Sequence, residues 1–464
     1  MHYIRLLRPP NVVKASRPGQ ASALALVLTI TTDLGESFLC PDAPISIAVE
    51  VVVDAVQDDK RDEDGEDDEA KDDGDDAEAE PPKTVVTHVF DLPVTAPVTA
   101  GKAKPGKPPK PTTGSGDGLS WKAGMRVLKL EAKLPKAAEA CLWDTATVKR
   151  RIRIRPAGRT LSAVHARQLV GSRDGNGGLI MPLWVDVPDS ASDGAFEHVA
   201  LRRLAFDYNK DESTAAVEVE EEIGESIARH VWDAGLVAVA YLADMCLAHT
   251  PSRKRPREEE DEEAEVKPQS FHDVLRRTLL SRPKGLRVLE LGSGVGILGI
   301  GLAAIVHEAE QASTSTEPSK NTFLLTDLPE AEERARANMA RSAHLSLDYE
   351  NLDWEDGREG RFGPAVTGAH GSNWDLVVLS DCTYNVDMLP ALVETLSALA
   401  DVPSSDLKKK PGVLLARKPR HASEEALFTL MKEHGWTVRA SSTVPLPVLD
   451  NDAEIVELYL YEKA

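Results

Sequence analysis

The stretch that decides the fold reads Leu289-Glu290-Leu291-Gly292-Ser293-Gly294-Val295-Gly296. An apolar run that begins at Leu286 predicts a short buried strand, and the apolar residues from Ile297 to Ile305 recur at helical spacing. A strand that turns into a helix through glycines lets a ligand approach the backbone, and the first helical turn offers free N–H groups. The stretch therefore predicts a ligand-binding turn in an α/β fold.

The spacing of the glycines separates two kinds of cofactor site. A dinucleotide-binding fingerprint has the form Gly-x-Gly-x-x-Gly, but here the third glycine, Gly296, comes one residue early and Ile297 follows it. Glu290 precedes the first glycine by two residues. The resulting form, Glu-x-Gly-x-Gly-x-Gly, resembles motif I of the class I S-adenosylmethionine-dependent methyltransferases. An ordinary glycine-rich turn and an NAD enzyme are the alternatives, and the missing glycine at position 297 disfavours NAD.

Charge and cysteine content narrow the class of protein. The formal net charge is −22, but much of it comes from the acidic run at 58–80, so the acidity belongs mainly to one segment. This charge disfavours general nucleic-acid binding. The four cysteines are far apart and form no Cys-x-x-Cys pair. That pattern argues against a zinc site and a disulfide framework and fits a reducing compartment. The apolar run at 21–30 is too short to span a bilayer, so we expect no membrane association.

The first half of the chain is rich in strand-like segments. Residues 1–157 predict a β-rich domain with two disordered insertions, an acidic one at 56–82 and a Pro/Lys/Gly-rich one at 98–118. Residues 158–221 predict a transition that ends in a β-hairpin. No catalytic constellation is visible here, so a docking or substrate-recognition role for the domain is only a hypothesis.

Two local patterns carry further expectations. The arginines Arg151, Arg153 and Arg155 alternate with apolar residues, which predicts a solvated strand face, with a binding face as the alternative. Apolar residues at helical spacing predict one helix from Ile223 to Cys246.

Residues 222–464 predict an α/β domain with a charged disordered insertion at 249–268. Strands and helices alternate from the glycine stretch onward, which predicts a mostly parallel sheet with helices on both faces. The last two strand-like segments have no helix between them, so we expect an antiparallel hairpin at one edge.

Polar and aromatic residues follow the later strands, at the sheet edge where ligands bind in open α/β folds. Asp327 ends the second strand, where a ribose needs an acceptor, and a helix-capping role is the alternative. Trp354 follows the third strand and suits an adenine, with a core tryptophan as the alternative. Asp381 and Tyr384 follow the fourth strand and would lie at the mouth of the crevice.

Four motifs give the region from Glu222 onward its resemblance to a known family. They are Val231-Trp232-Asp233-Ala234-Gly235, Glu290 to Gly296, Leu352-Asp353-Trp354 and Asp381-Cys382-Thr383-Tyr384. Together they resemble the family-16 seven-strand methyltransferases, eukaryotic protein-lysine methyltransferases that modify elongation factors, chaperones and an AAA ATPase. Arg420, with the helix that contains Phe428, resembles the family's end of strand five. The fold implied is α/β, a seven-stranded, mostly parallel Rossmann-like methyltransferase sheet with helices on both faces, beside the β-rich N-terminal domain.

The resemblance implies S-adenosyl-L-methionine as the cofactor and assigns residues to it. The cofactor contacts would fall on Trp232, Glu290, Gly292, Ser293, Gly294, Gly296, Asp327, Asp353, Trp354 and Ser380. Asp381 and Tyr384 would be catalytic, Asp381 as acceptor or orienter of the target amine and Tyr384 as a hydrogen-bonding wall. We expect no metal.

The function that these features favour is transfer of a methyl group to a protein, and to a lysine side-chain amine in particular, by a monomeric enzyme. One alternative is a small-molecule N- or O-methyltransferase on the same scaffold. Another is a non-catalytic cofactor-binding scaffold that recruits basic partners, which the intact Asp381 and Tyr384 disfavour.

The basic run Arg253-Lys254-Arg255-Pro256-Arg257 resembles a nuclear import signal, with a plain charged insertion as the alternative. We therefore expect a cytoplasmic or nuclear protein.

Overall fold

A computed structural model of the protein describes most of the chain. The described residues are 1–15, 21–57, 84–97, 119–143, 149–171, 180–188, 196–206, 215–224, 227–247, 270–281, 285–312, 320–368, 374–401, 410–448 and 454–464. The predicted insertions at 56–82, 98–118 and 249–268 lie outside these ranges except for residues 56 and 57, and so does the whole basic run at 253–257.

The N-terminal half forms two β-sheets that face each other across one core. Its strands are β1 (His2–Leu6), β2 (Asn11–Val13), β3 (Ala23–Thr32), β4 (Ile45–Gln57), β5 (Thr84–Leu92), β6 (Val94–Thr95), β7 (Ser120–Trp121), β8 (Leu128–Lys133), β9 (Lys149–Pro156), β10 (Ile180–Met181), β11 (Leu183–Asp186), β12 (Val199–Ala205) and β13 (Ala216–Glu222). Its helices are α1 (Lys136–Trp143) and α2 (Ala166–Val170). One sheet has the order β10-β1-β3-β8-β6 with β2 beside β3, and the other β13-β12-β11-β9-β4-β5 with β7 beside β4. Leu26, Val51 and Ile152 lie buried between the two sheets, so the predicted β-rich domain is a β-sandwich.

The hairpin that the sequence predicts before residue 222 is part of this sandwich. Strands β12 and β13 pair antiparallel from Val199 with Glu222 to Ala205 with Ala216, and β12 also pairs with β11. The hairpin is therefore the outer edge of the second sheet, and the segment described above as a transition contributes four of the sandwich strands.

The arginine stripe on β9 is not a solvated face. The side chains of Arg151, Arg153 and Arg155 are 8%, 21% and 13% exposed. Glu50 of the adjacent strand accepts hydrogen bonds from Arg153 and Arg155, and the guanidinium groups of Arg151 and Arg153 cover the ring of Trp184 on β11. The expectation of solvent exposure is wrong because the strands on either side supply an acid and an aromatic ring, which the local alternation of β9 does not reveal.

The C-terminal half is an α/β domain. Its elements are α3 (Asp233–Leu247), α4 (Phe271–Leu280), β14 (Arg287–Leu291), α5 (Ile297–Gln311), β15 (Thr322–Asp327), α6 (Pro329–Arg341), β16 (Leu347–Asn351), α7 (Trp354–Gly357), α8 (Pro364–Thr367), β17 (Leu376–Ser380), α9 (Leu389–Asp401), β18 (Gly412–Arg417), α10 (Ala426–Glu433), β19 (Trp436–Pro445) and β20 (Ile455–Lys463). Short 3-10 turns cover Ile227–Arg229, Val386–Met388 and Ala422–Glu425, and a further one, Arg159–Leu161, lies in the sandwich.

The seven strands of this domain have the order β16-β15-β14-β17-β18-β20-β19. The first five are parallel, whereas β20 runs antiparallel to β18 and β19 runs antiparallel to β20. One face of the sheet is covered by α3, α4 and α5 and the other by α9 and α10. The predicted parallel sheet with an antiparallel hairpin at one edge is confirmed, and the carboxyl ends of β14, β15 and β17 meet at one edge.

Helix α3 begins ten residues later than the sequence predicts. The imidazole of His230 lies 3.0 Å from the carbonyl oxygen of Gly224, and the indole of Trp232 donates to the carbonyl of Ile227, so the segment before Asp233 is a loop tied by its own side chains. By length and composition the segment Ile227–Leu247 would suffice to cross a membrane, but 78% of its most apolar window is buried inside the protein. It packs as a core helix.

The sandwich and the α/β domain are joined by a shared core and by polar contacts. Tyr3 and Val219 of the sandwich lie in one apolar cluster with Val239 of α3. Asn338 of α6 accepts from the backbone N–H of Glu220 at 2.7 Å and donates to a carbonyl of the glycine loop at 2.8 Å. Because the buried side-chain amide of Asn338 forms hydrogen bonds with both the sandwich and the glycine loop, it fixes the position of one relative to the other.

Candidate cofactor and substrate site

The loop between β14 and α5 is built on left-handed glycines. The φ angles of Gly292, Gly294 and Gly296 are 64°, 53° and 86°, a region that residues with a Cβ rarely adopt. At Gly292 there is also no room, because a Cβ would lie 2.6 Å from the sulfur of Cys382 and 3.3 Å from Cζ2 of Trp354. The loop therefore has no side chains on its glycine backbone, and Trp354 after β16 and Cys382 after β17 pack against it.

Glu290 is a buried acid beneath this loop. Its Oε2 accepts the backbone N–H of Gly299 at 3.0 Å, and Gly299 has no Cβ that would collide with that oxygen. Its Oε1 is buried with no hydrogen-bond partner among the described residues, and neither has the hydroxyl of Ser293. Burial raises the pKa of Glu290 well above its ordinary value. The motif thus carries polar atoms that still lack a partner.

Asp327 ends β15 and points at the same loop. Its Oδ2 accepts the N–H of Gly294 at 2.7 Å and its Oδ1 accepts the N–H of Leu328 at 2.7 Å. Burial raises the pKa of the carboxyl group. The two backbone donors leave acceptor capacity on the carboxylate, so Asp327 both fixes the glycine loop and can accept a ligand hydroxyl.

The two residues predicted after β16 have different places. Trp354 is half-buried and its ring lies beside Gly292, while its carbonyl accepts from the hydroxyl of Thr395 at 3.0 Å. Asp353 is exposed, and its side chain accepts the N–H of Glu355 as the N-cap of α7. Trp354 is therefore a wall of the site, and the described contact of the Asp353 side chain is a helix cap.

The loop before α3 covers the glycines from the other side. The carbonyl oxygen of Ala228 would lie 3.3 Å from a Cβ on Gly294. Ser380, at the end of β17, packs against Gly235 in the first turn of α3. Trp232 lies between these points in the chain, and the guanidinium of Arg420 stands 5.4 Å from its ring centroid. The predicted residues on β14, β15, β17 and the pre-helix loop are thus brought to one edge of the sheet.

Asp381 has an unusual backbone and three donors. Its φ is 49°, the only left-handed value at a non-glycine residue in the described part of the chain. Its Oδ2 accepts the N–H of Ala234 at 2.9 Å and lies 3.3 Å from Arg420, while Oδ1 accepts the N–H of Lys418 at 3.0 Å. Burial raises its pKa to about 6, against the opposing charge of Arg420. Asp381 therefore links the end of β17 to α3 and to the residues after β18 through its side-chain contacts. Backbone strain of this kind clusters at functional sites.

Cys382 and Tyr384 follow Asp381 in the chain and differ in burial. The thiol of Cys382 is buried and lies 3.4 Å from the carbonyl oxygen of Leu291, and burial raises its pKa well above the ordinary value. Tyr384 is 60% exposed. The segment after β17 thus presents a neutral thiol to the glycine loop and leaves most of the Tyr384 side chain exposed to solvent.

Comparison with known proteins agrees with this geometry. A family model described as lysine methyltransferase matches residues 211–434. The chain carries a domain of the lysine methyltransferase family. The predicted recognition is confirmed, and with it the α/β methyltransferase fold and S-adenosyl-L-methionine as the cofactor of the domain.

The individual relatives of the lysine methyltransferase domain have low sequence identity to this chain. The chain is 27% identical over 217 residues to a UPF0665 family protein of Schizosaccharomyces pombe, covering 47% of this chain and 49% of that one. It is 24% identical over 242 residues to the protein-lysine N-methyltransferase EFM6 of Saccharomyces cerevisiae, covering 51% of this chain and 82% of the relative. The match thus spans about half the length of the first of these relatives.

Solved structures give only weak similarity. The precorrin-6y C5,15-methyltransferase of Geobacter metallireducens covers 44% of this chain and 94% of its own length, with 13% identity and a TM-score of 0.28. An S-adenosylmethionine-dependent methyltransferase of Methanosarcina mazei covers 42% and 99%, with 12% identity and a TM-score of 0.27. The fold of the lysine methyltransferase domain is established here by its own strand order.

The residues of the domain fit the cofactor. The sulfonium cofactor carries a cationic amino group, a ribose diol and an adenine, and the edge of the sheet offers a partner of each kind. Glu290 has a buried carboxyl oxygen without a partner, and a nearby cation favours the charged form of such a group. Asp327 keeps acceptor capacity for a diol, and the ring of Trp354 lies against the glycine loop.

Sequence reasoning missed four charged or polar residues behind this site. Asp233 is fully buried and accepts from the hydroxyl of Tyr3 at 2.7 Å and from the ammonium of Lys418 at 2.8 Å. Asp33 accepts from Arg420 at 2.6 Å. The position of Asp233 inside one of the four motifs is the one available signal, because Tyr3 and Asp33 lie 230 and 387 residues from Asp233 and Arg420 and no local pattern marks them.

Proposed function

We propose that this protein is an S-adenosyl-L-methionine-dependent methyltransferase that methylates a lysine side-chain amine of a protein. The observation that carries the proposal is the contact between the two loops of the lysine methyltransferase domain that end β14 and β17. A Cβ on Gly292 would lie 2.6 Å from the sulfur of Cys382, so the segment that carries Asp381 directly before that cysteine and Tyr384 two residues after it meets the glycine loop. A cofactor seated on the loop would be reached by a substrate that enters past Tyr384.

The residues around the loop act by binding and orientation. Asp327 would accept the ribose hydroxyls, Trp354 would pack on the adenine, and Glu290 would face the amino group, because their free acceptors and the indole ring lie at the glycine loop. Asp353, Ser293 and Ser380 stay candidates for further contacts. S-adenosyl-L-methionine supplies an electrophilic methyl group when it is bound. Alignment of two reactants in this way is worth up to about 7–11 kcal/mol of the barrier in favourable cases.

The target lysine has to lose its proton before it can attack. Three donors already occupy the carboxylate of Asp381, and a carboxylate has about four lone-pair positions. Asp381 is therefore better placed to orient the wall of the channel than to take up a proton. Tyr384 is the exposed group that an incoming amine meets first. Its hydroxyl can accept a hydrogen bond that orients the amine, while exclusion of water from the channel favours the neutral, nucleophilic form, whose proton is released to bulk water before the methyl transfer.

The test is methyl labelling of a lysate from cells that lack the protein. Purified protein is added with tritiated S-adenosyl-L-methionine, and the Tyr384→Phe variant is run beside it. A labelled protein band that yields methyl-lysine on hydrolysis, with weaker labelling by the variant, supports the proposal. Label that appears only in the small-molecule fraction overturns it in favour of a small-molecule enzyme. No label in either fraction, from protein shown by calorimetry to bind S-adenosylhomocysteine, identifies a scaffold.

We further propose that the protein enters the nucleus. The run Arg253-Lys254-Arg255-Pro256-Arg257 has the composition of an import signal, although it lies outside the described residues. A fluorescent fusion should be nuclear and cytoplasmic, and the Lys254→Ala/Arg255→Ala double variant should be cytoplasmic. An unchanged distribution of that variant contradicts the proposal.

A further inference from the structure

We propose that Asp33 of the N-terminal sandwich is a positioning residue for the methyl-transfer site, because it holds Arg420 against both Trp232 and Asp381. The inference rests on the proposed function for its effect on turnover, while its effect on cofactor binding is independent of the substrate. It gives the sandwich a role in the site that the match to the lysine methyltransferase family, which begins at residue 211, does not cover.

The contact between Asp33 and Arg420 is buried and bidentate. Nη2 of Arg420 lies 2.6 Å from Oδ2 of Asp33, and Nη1 lies 3.3 Å from Oδ1. The side chain of Asp33 is 1% exposed and that of Arg420 is 15% exposed. A paired fork of this kind fixes the plane of a guanidinium as well as its position. Asp33 also accepts the backbone N–H of Asp233 at 3.2 Å, at the first residue of α3.

The guanidinium held in this way touches two predicted site residues. Its carbon stands 5.4 Å from the ring centroid of Trp232, within range of a cation–π interaction. Its Nη2 lies 3.3 Å from Oδ2 of Asp381. The hydrogen bond to Asp33 and the charge of Asp381 raise the pKa of Arg420 against the effect of burial, so the group stays cationic. Arg420 thus links the sandwich to the cofactor side and to the substrate side of the site.

The charged groups around Arg420 show why an acid is needed at position 33. Asp33, Asp233 and Asp381 are the buried acids of this cluster, and Glu454 is a partly exposed fourth that pairs with Lys418. The side-chain cations are Lys418 and Arg420, with the ammonium of Met1 also on Asp233. Without the carboxylate of Asp33, Asp381 is the remaining acid within 4 Å of Arg420 in the described structure. The guanidinium would then be drawn toward Asp381 and away from its place over Trp232, because a buried cation needs a paired acceptor.

A second contact of the sandwich also supports a role in positioning the site. The hydroxyl of Tyr3 donates to Oδ1 of Asp233 at 2.7 Å, and both side chains are fully buried. Asp233 directly follows Trp232 in the chain. The sandwich therefore holds the Trp232–Asp233 pair in three ways: Tyr3 donates to the side chain of Asp233, Asp33 accepts its backbone N–H, and Asp33 holds Arg420 beside the ring of Trp232.

The test compares Asp33→Asn with Glu50→Gln in the full chain. Glu50 is equally buried in the same sandwich and also pairs with arginines, Arg153 and Arg155, but those arginines lie in the sandwich and contact none of the site residues in the described structure. The affinity for S-adenosylhomocysteine is measured by calorimetry, alongside the melting temperature of each protein. We expect Asp33→Asn to weaken binding by about tenfold, the loss expected for a hydrogen bond to a charged group, and Glu50→Gln to leave binding unchanged.

A double-mutant cycle separates positioning from a general structural effect. If Asp33 acts through Arg420, the Asp33→Asn/Arg420→Gln protein should bind S-adenosylhomocysteine no more weakly than Arg420→Gln alone, and Asp33→Glu should restore part of the affinity. Should Asp33→Asn fail to fold, Asp33→Glu is compared with Glu50→Gln in the same way; weaker binding by Asp33→Glu alone supports the proposal, and unchanged binding overturns it.

Several results would overturn the inference. They are unchanged affinity in folded Asp33→Asn protein, additive losses in the double variant, or an equal loss in Glu50→Gln. Methyl labelling of lysate gives the second readout, a lower initial rate of labelling by Asp33→Asn than by the parent protein at saturating cofactor. If the parent protein labels nothing yet Asp33→Asn still weakens binding, the proposed function fails while the positioning role of Asp33 stands.

Discussion

Gly292 and Cys382 belong to the loops that end two neighbouring strands, and they touch where a side chain on the first would displace the second. The sulfur of Cys382 lies 3.6 Å from the carbonyl oxygen of Gly292, and a Cβ on Gly292 would lie 2.6 Å from that sulfur. The φ of Gly292 is 64°. The glycine thus meets two requirements at once, a left-handed backbone and an absence of side-chain volume, and the two can be tested separately.

We expect Gly292→Ala to abolish cofactor binding. The new methyl group has to push back either Cys382 or the ring of Trp354, which lies 3.3 Å from the same Cβ position, and both are walls of the site. The backbone strain adds about 1–2 kcal/mol. Calorimetry with S-adenosylhomocysteine should detect no binding in protein that still melts cooperatively.

Gly360→Ala is the matched control for this substitution. Gly360 has a φ of 72°, and no heavy atom lies within 4 Å of a Cβ built there. The alanine therefore introduces the backbone strain without the collision. It should lower the melting temperature and leave cofactor affinity unchanged; equal loss of affinity in the two variants would show that the close contact at Gly292 is not the cause.

Asp327→Asn should weaken cofactor binding by about 10- to 100-fold, because one acceptor of a charged hydrogen-bond set is replaced by a donor. The affected contacts are the N–H of Gly294 and the ribose hydroxyls assigned above. Asp348→Asn is the control, since Asp348 is exposed on the next strand and accepts a neighbouring backbone N–H in the same way. Titration calorimetry distinguishes the two, and comparable affinities would remove Asp327 from the site.

The sheet and the glycine loop were predictable because their signals are local. Alternating strands and helices predict a parallel order. Asp327, Trp354 and Asp381 could be placed because each lies at or just after the carboxyl end of a strand, which is the ligand edge of the sheet. The left-handed backbone of Asp381, at φ 49°, carries no such sequence signal, since it depends on donors from two other elements.

The contacts between the two halves could not be predicted. Asp33 and Arg420 are 387 residues apart, and each is a polar loop residue that fits solvent equally well. The burial of the arginines of β9 could not be predicted for the same reason, because Glu50, the acid that pairs with Arg153, lies on a strand 103 residues away in the chain. Periodicity reports which face a residue occupies, but not which element will cover that face.

Thiol reactivity should follow burial. Cys40 is exposed, whereas Cys246 and Cys382 are 8% and 6% exposed. Burial raises the pKa of Cys246 to about 12 and that of Cys382 well above its ordinary value, and only the thiolate is nucleophilic. Iodoacetamide should modify Cys40 in the native protein and the two buried thiols only after denaturation, as read by peptide mass spectrometry. Rapid native alkylation of Cys382 would contradict the contact with Gly292.

Acid should destabilise the protein through Glu218 of β13. This carboxylate pairs with Lys149, Arg151, Arg203 and Arg341, and although burial works against the charged form, these cations lower its pKa to about 2 from 4.5. Between those two values the unfolded state binds more protons than the folded state, so stability is present above pH 4.5 and is lost as the pH falls toward 2.

A shift of this size corresponds to about 3 kcal/mol at neutral pH. Glu218→Gln should therefore lower the free energy of unfolding at pH 7 and flatten its decline between pH 5 and 3, as measured by urea titration at each pH. The exposed Glu433→Gln on α10 provides the comparison and should follow the parent protein at every pH. A Glu218→Gln protein that loses stability with acid as steeply as the parent would show that the four cations do not hold this carboxylate in its charged form.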